Sequence, residues 1–324
     1  TAKDRGANKV YGMLHGIQGL LQERYVDLDD HIKNDLDIEL LKRTPSAYLG
    51  SCRFKLPDIS KDREIYDKIF DILNKMEIKY FFYIGGNDSM DTIKKLSDYS
   101  LLNGSDIRFM GVPKTIDNDL AATDHTPGYG SAAKYIGSIT KEVIRDGLVY
   151  DQQNVTILEI MGRNAGWLTG AAALAKCEDC EGPDMIFLPE VTFDVDEFMK
   201  KVAELHKKKK SVVVAVSEGV KTADGRYVCE LTDGIDFVDA FGHKQLTGTA
   251  RFLAEKINRE VGCKTRAIEF NSLQRCASHI VSRVDITEAY QVGGAAVKEA
   301  FEGETGKMII LKRVSDDPYI CVTD

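Results

Sequence analysis

Short apolar runs alternate along the chain with stretches whose apolar residues recur every third or fourth position. The runs Tyr80 to Ile84, Ile107 to Met110, Val155 to Met161, Met185 to Leu188, Ser211 to Val216, Arg266 to Phe270 and Lys307 to Leu311 predict buried strands. Between Asp62 and Ile78, the residues Ile65, Ile69, Phe70, Ile72, Leu73 and Met76 fall at helical spacing. Helices are also predicted over Asp91 to Leu96, Ser131 to Asp146, Trp167 to Lys176, Val195 to His206, Thr247 to Val261 and Asp285 to Phe301. Residues 9 to 21 read as a strand ending in a glycine-marked turn. Residues 220 to 246 read as a polar excursion with a short strand near Tyr227 to Leu231. Strands that alternate with helices predict an α/β protein with mostly parallel sheets covered by helices on both faces. At 324 residues the chain suits two lobes better than one.

Composition narrows the class of partner. Hydrophobic residues make up 43% and charged residues 29%, as in ordinary globular proteins. The net charge of −8 argues against nucleic acid or an anionic membrane as partner, while local Lys and Arg leave a small phosphorylated ligand open. No apolar run reaches the ~18 residues a membrane helix needs, and the opening Thr-Ala-Lys-Asp-Arg is too polar for a signal peptide. Seven scattered cysteines, an odd count, fit a reducing cytoplasm. Cys177 and Cys180 form a C-x-x-C, but no second pair with ligand spacing follows, and two unpaired thiols in a connection explain them without zinc or redox chemistry. The lysine run at 207 to 210 ends a helix, where cations complement the dipole and stay solvated.

Two loops concentrate the candidate chemistry. After the run ending at Met110, Gly111-Val-Pro-Lys-Thr-Ile-Asp-Asn-Asp-Leu120 packs a cation, a hydroxyl and two carboxylates separated by an amide into six residues, with Pro113 stiffening the turn. After the run ending at Ile84, Gly85-Gly-Asn-Asp-Ser-Met90 leads into a helix, and free N–H groups at a helix start make an anion cradle. One loop can hold phosphate and the other can move a proton. Met161-Gly-Arg163 and Glu218 follow two further strands, and groups at the carboxyl ends of neighbouring strands converge in space. Gly128-Tyr-Gly-Ser-Ala-Ala133 fits the G-x-G-x-x-A pattern of dinucleotide sites. Its context is wrong, because Thr123-Asp-His-Thr-Pro127 precedes it where a strand belongs.

Taken together, Leu49-Gly-Ser-Cys-Arg-Phe54, Gly85-Gly-Asn-Asp-Ser89, Pro113-Lys-Thr-Ile-Asp-Asn-Asp119, Glu159-Ile-Met-Gly-Arg163, Glu218, Thr265-Arg266 and Leu273-Gln-Arg275 resemble the phosphofructokinases, in order and over nearly the whole chain. The resemblance implies two Rossmann-like lobes: a phosphoryl-donor lobe of residues 1–128 and 275–324, and a sugar-phosphate lobe of residues 129–274. It implies Asp117 as the general base on the 1-hydroxyl of fructose 6-phosphate, with Thr115 and Lys114 beside it. Met161, Gly162, Arg163 and Glu218 would hold the sugar. Arg266 and Arg275 would hold its phosphate, Arg266 coming from a neighbouring subunit of a dimer or tetramer. Gly86, Asp88, Ser89, Arg53 and Lys114 would hold the donor, and Asp88 and Asp119 would ligate Mg²⁺.

Departures from the family pattern select a branch. ATP-using members carry glycine where this sequence has Asp88 and Lys114, and both substitutions resemble the pyrophosphate-dependent enzymes. Asn87 stands where many members have aspartate, Ser272 where ATP enzymes have histidine, and Asn154 where they have arginine. Family members begin with a strand and a Gly-Gly-x-x-(Pro/Ala)-Gly-x-Asn loop. This sequence opens at Thr1 without them, so either a fragment or an incomplete donor site is expected. The implied activity is reversible phosphoryl transfer between pyrophosphate and fructose 6-phosphate. Its rivals are an ATP-dependent 6-phosphofructokinase and a non-catalytic regulatory subunit that binds sugar phosphate.

Overall fold

The computed structural model describes residues 1–231 and 246–324. The chain divides into two compact units, one of residues 1–115, 119–128 and 283–324, the other of residues 116–118 and 129–282. The first unit holds a three-stranded parallel sheet with Arg108–Pro113 between Tyr80–Gly85 and Lys307–Met308. Tyr11–Met13 pairs antiparallel with Tyr25–Asp27 across the helix Gly16–Leu21, and Leu311–Asp316 forms a hairpin with Tyr319–Thr323. The second unit holds a four-stranded parallel sheet in the order Met185–Phe187, Ser211–Ser217, Asn154–Ile160, Lys264–Glu269.

Side-chain alternation along the strands explains why each sheet carries a core on both faces. Val212, Val214 and Val216 pack into one cluster with Val155, Ile157, Phe198 and Leu253, while Val213 and Ala215 pack into another with Leu158, Ile160, Ile136 and Leu168. Every residue of Asn154–Ile160 and Ser211–Ser217 is buried, as strands covered on both faces require. In the first unit Phe109 faces the cluster of Tyr66, Ile69, Phe70 and Leu96, and Met110 and Val112 face Val292 and Ala296. The helix Arg63–Lys75 buries the predicted stripe of Ile69, Phe70, Ile72 and Leu73, and the Asp62 carboxylate caps it by accepting from Ile65 N–H at 3.2 Å.

Several elements differ from the sequence expectation. The helix predicted over Asp91 to Leu96 begins at Asn87, directly after the glycines, and runs to Leu102. The short strand near Tyr227 to Leu231 is a 3₁₀ turn, Val228–Leu231. A Lys221–Tyr227 bridge closes the loop before it, and Val228 N–H then bonds the Val220 carbonyl, which folds the chain back. The remainder of the predicted excursion, residues 232–245, lies outside the described residues. The helix predicted over Trp167 to Lys176 splits into Trp167–Gly170 and the 3₁₀ segment Ala171–Ala175. The last predicted strand contributes only Lys307–Met308 to the sheet, and the chain then leaves it as the C-terminal hairpin.

Residues 275–282 pack with the second unit. Ser282 N–H bonds the Ser131 hydroxyl at 3.2 Å, and Lys134 bonds the Val281 carbonyl at 3.2 Å. Cys177 and Cys180 close a tight turn by mutual backbone hydrogen bonds, and both are free thiols. Among the described residues, no helix is long and apolar enough to cross a membrane.

Candidate active site

In the first unit, two adjacent parallel strands deliver the two chemical loops to the same end of the sheet. Tyr80–Gly85 and Arg108–Pro113 pair in register to their ends, Gly85 opposite Pro113, and Lys114 N–H bonds the Gly85 carbonyl at 3.0 Å. Gly86 caps the helix Asn87–Leu102 and offers no side chain to its first turn; its carbonyl accepts from Ser89 N–H at 3.0 Å and Met90 N–H at 3.1 Å, and Asn87 and Asp88 begin the positive end of the helix. A Cβ on Gly85 would stand 2.0 Å from the Ser89 hydroxyl oxygen, and one on Gly86 would stand 3.6 Å from Thr115 Cβ. Bare backbone at Gly85 makes room for the Ser89 side chain of the same turn, and Gly86 stands at ordinary contact distance from the Lys114–Thr115 loop. Across them, the Asn87 amide donates to the Asp119 carboxylate at 2.9 Å. Gly86, Ser89, Lys114, Thr115 and Asp119 therefore lie along one rim. Asp88 is exposed on the first turn of the helix, and Arg53 is exposed in the loop between Asp35–Arg43 and Arg63–Lys75.

The segment from Thr115 to Gly128 closes on itself. Thr115 N–H bonds the Pro127 carbonyl at 3.2 Å, and the buried Thr126 hydroxyl donates to the Thr115 carbonyl at 2.7 Å. Within it, Asn118 takes φ +55°, the left-handed region that an amide side chain tolerates better than most. That turn separates the Asp117 and Asp119 carboxylates. Gly128 has φ +106° and opens the helix Tyr129–Gly147 straight from an irregular segment. The G-x-G-x-x-A match is therefore a glycine turn rather than a nucleotide fingerprint.

In the second unit the sugar-site candidates converge as the strand order requires. Ile160 lies opposite Ser217, so Met161-Gly162-Arg163 and Glu218 leave the sheet side by side. Glu218 N–H bonds the Ile160 carbonyl at 2.9 Å, and the Ser217 hydroxyl donates to the Gly162 carbonyl at 2.7 Å. Gly162 N–H approaches the Glu218 carboxylate at 3.5 Å, and Gln274 accepts from Met161 N–H at 3.3 Å. The latter bond brings the 3₁₀ turn Asn271–Arg275, with exposed Arg275 at its end, against the same loop.

Burial pushes the Glu218 carboxyl up to about 7; the Gly162 hydrogen bond and Arg163 oppose this, and the Glu159 and Asp117 charges add to it. Asp117 is thus an electrostatic neighbour of Glu218. Glu159, two residues before Met161, was not singled out as a site residue from the sequence, where it reads as one polar position in an apolar strand. It is buried, its carboxyl is pushed up to about 7 chiefly by burial, and it accepts from Ala250 N–H at 2.8 Å and Gly248 N–H at 3.3 Å. It holds the start of the helix Thr249–Val261 against the strand. An acid near the carboxyl end of a β-branched run was the available signal.

Arg266 does not reach this rim. It lies opposite Thr156 in Lys264–Glu269, four positions before the end of the neighbouring strand, or about 13 Å along it. There it pairs with Asp146 at 3.1 Å and sits over the Tyr150 ring at 5.3 Å.

The first unit carries a glycine turn at a helix start with a carboxylate-bearing loop beside it, the second a cluster of polar strand-end groups, and both are parallel α/β units. The family model for phosphofructokinase matches residues 1–300, and the chain belongs to that family. It is 40% identical over 318 residues to a pyrophosphate–fructose 6-phosphate 1-phosphotransferase of Halomonas elongata, spanning 98% of this chain and 74% of that one. The enzyme of the same name from Xanthomonas campestris pv. campestris is 40% identical over 313 residues, or 96% of this chain and 74% of that one. The crystal structure of a pyrophosphate-dependent phosphofructokinase from Nitrosospira multiformis superposes with a TM-score of 0.86 at 36% identity, covering all of this chain and 76% of that one.

Proposed function

We propose that this chain is a pyrophosphate-dependent phosphofructokinase, transferring a phosphoryl group reversibly between pyrophosphate and the 1-hydroxyl of fructose 6-phosphate. The products are fructose 1,6-bisphosphate and phosphate. Phosphoryl transfer needs a nucleophile in line with phosphorus and compensation for the charge on the transferring oxygens. In this reading Asp117 takes the proton from the 1-hydroxyl as it attacks, with Thr115 and Lys114 beside it. Met161, Gly162, Arg163 and Glu218 bind the sugar, and Arg275 binds its phosphate. Arg163 and Arg275 suit anionic and hydroxyl partners through their planar donor fork.

Gly86, Ser89 and the first turn of Asn87–Leu102 receive the donor phosphate, with Arg53 as a further ligand. The all-oxygen carboxylates of Asp88 and Asp119, both exposed, suit Mg²⁺, which takes one or two carboxylates and completes its shell with phosphate and water. Bound there, Mg²⁺ would neutralise charge on the pyrophosphate.

The observation that carries the donor assignment is Lys114 at the mouth of the cradle. Its N–H is tied to Gly85, and its carbonyl lies 3.7 Å from where a Gly86 side chain would begin. A lysine there sets a point charge against a compact polyanion, while Asp88 opposes the extra phosphate and nucleoside of ATP. Kinetics with pyrophosphate and with ATP test this. The parent should use pyrophosphate, and Asp88→Gly should admit ATP weakly while keeping pyrophosphate use. Asp88→Gly with Lys114→Gly should lower kcat/KM for pyrophosphate roughly tenfold or more, since a charge-assisted contact is worth ~1.5–3 kcal/mol. A parent that prefers ATP, or a donor ratio that neither change moves, would overturn the assignment.

A further inference from the structure

His125 lies in the closed loop that begins at Thr115, beyond every residue given a role above. Its ring is bonded on both sides by carboxylates, Nδ1 to Asp124 at 2.8 Å and Nε2 to Glu288 at 2.7 Å. The His125 side chain is 11% exposed and that of Glu288 5%, so this is an interior arrangement. The C-terminal hairpin completes it. The Tyr319 hydroxyl donates to the other Glu288 oxygen at 2.7 Å, Arg313 bonds Asp124 at 2.9 Å, and Cys321 lies beside Asp124 and His125. Asp124, His125 and Cys321 offer ligand atoms close enough for a metal, but both His125 ring nitrogens are already engaged by carboxylates.

The same loop is anchored by its backbone. Asp124 N–H bonds the Leu311 carbonyl at 2.8 Å, and Gly128 N–H bonds the buried Asp285 carboxylate at 2.7 Å. Asp285 and Glu288 project from one helix, Arg283–Phe301. The loop's return is thus fastened at His125 and Gly128, and its last residues fasten Thr115 through Thr126 and Pro127.

We infer that His125 is a positioning residue for the reaction, an imidazolium clamp between Asp124 and Glu288 that holds the Lys114 to Asp119 segment through the closed loop. The inference rests on the activity proposed above. The Glu288 hydrogen bond raises the His125 pKa most, burial opposes it, and Asp124 adds to the rise. Burial pushes the Asp124 carboxyl up, but the hydrogen bonds from His125 and Arg313 outweigh it and hold it below the usual range. A histidine with a raised folded pKa contributes its stabilisation fully below its unfolded value of about 6.5, and loses it as pH rises through the folded value. The groups facing the ring are Asp124 from its own loop, Glu288 from the helix, and Arg313, Tyr319 and Cys321 from the hairpin, and the net balance favours the cation.

The test uses the full chain with His125→Gln and Glu288→Gln. Two readouts bear on the clamp, amide hydrogen exchange at Thr115 and Gly128 and the pH profile of kcat. In both variants those two amides should exchange about tenfold faster or more, while amides of the sheet strand Asn154–Ile160 keep their rates. In turnover, kcat should fall about tenfold or more with KM for fructose 6-phosphate within about twofold, as slight misplacement of a reacting group produces. The alkaline limb of the parent's kcat profile should move to lower pH in Glu288→Gln and vanish in His125→Gln. Native exchange at Thr115 and Gly128 in both variants would overturn the inference, as would an alkaline limb unchanged in both. A parent without turnover would instead sink the proposed activity, and the exchange measurement would still decide the clamp.

Discussion

Asp117 stands two residues from Thr115, which the loop pins by two hydrogen bonds, and next to Asn118, which turns left-handed. The backbone leading to Asp117 is thereby held in one path, which suits the general-base role proposed for it. Asp117→Asn keeps the shape and removes the base. It should lower kcat by ~10²–10⁴ while the affinity for fructose 6-phosphate barely moves. Steady-state kinetics with an independent binding titration check this, and a near-normal kcat would remove the assignment. Glu218 makes a second prediction. Its carboxyl, pushed up to about 7, binds more protons in the folded than in the unfolded chain between about pH 4.5 and 7. Its contribution to stability therefore falls as pH rises across that window. Glu218→Gln should raise Tm relative to the parent more at pH 8 than at pH 5, and a Tm difference that shrinks with pH would contradict the burial argument.

At the scale of elements, the chemistry sits where strands end and glycines let loops meet. Gly219 shows how tight these junctions are, because a Cβ there would stand 2.0 Å from the Arg163 carbonyl oxygen. Backbone cannot yield that distance without moving the Met161 to Asn164 turn. Gly219→Ala should cost about 1–3 kcal/mol of stability and raise KM for fructose 6-phosphate while leaving KM for pyrophosphate close to the parent's. Thermal melts and paired KM measurements check it, and an unchanged Tm with unchanged KM would refute the packing reading. Amphipathic helices were legible because their period of 3.6 is written in side chains, and buried strands because both their faces are apolar, which leaves an unbroken β-branched run. The 3₁₀ turn at Val228–Leu231 was not, because a cross-loop bridge and the Val220 carbonyl bend residues that would otherwise extend.

At the scale of the whole molecule, Arg266 separates one chain from an assembly. Within one chain it pairs with Asp146 and lies over Tyr150, well back along the strand from Glu218. The resemblance to the family assigns it to a neighbour's sugar phosphate, and the proposal to test is that a second copy completes the site. Arg266→Ala should raise KM for fructose 6-phosphate strongly, since it removes a charge-assisted contact. Mixing Arg266→Ala with Asp117→Asn chains should then restore part of the activity through hybrid sites. Mixed oligomers that form and show no activity would end the shared-site reading.

The sequence alone determined the α/β alternation, the strands that face two cores, and the loops that carry acid, lysine and glycine, because composition and period act locally. It also pointed to the family, since several short motifs recur in one order. Only the tertiary structure decided that the Gly85–Ser89 and Lys114–Asp119 loops share a rim, because strand register sets that neighbourhood. Burial likewise belongs to the fold. The sequence places Glu159 and Glu218 at strand ends, but only their burial at one sheet end pushes both carboxyls up to about 7. His125 likewise reads as one histidine in a polar stretch. Its two carboxylates come from the adjacent residue and from a helix 163 positions away, a pairing that no local pattern encodes and that folding alone creates.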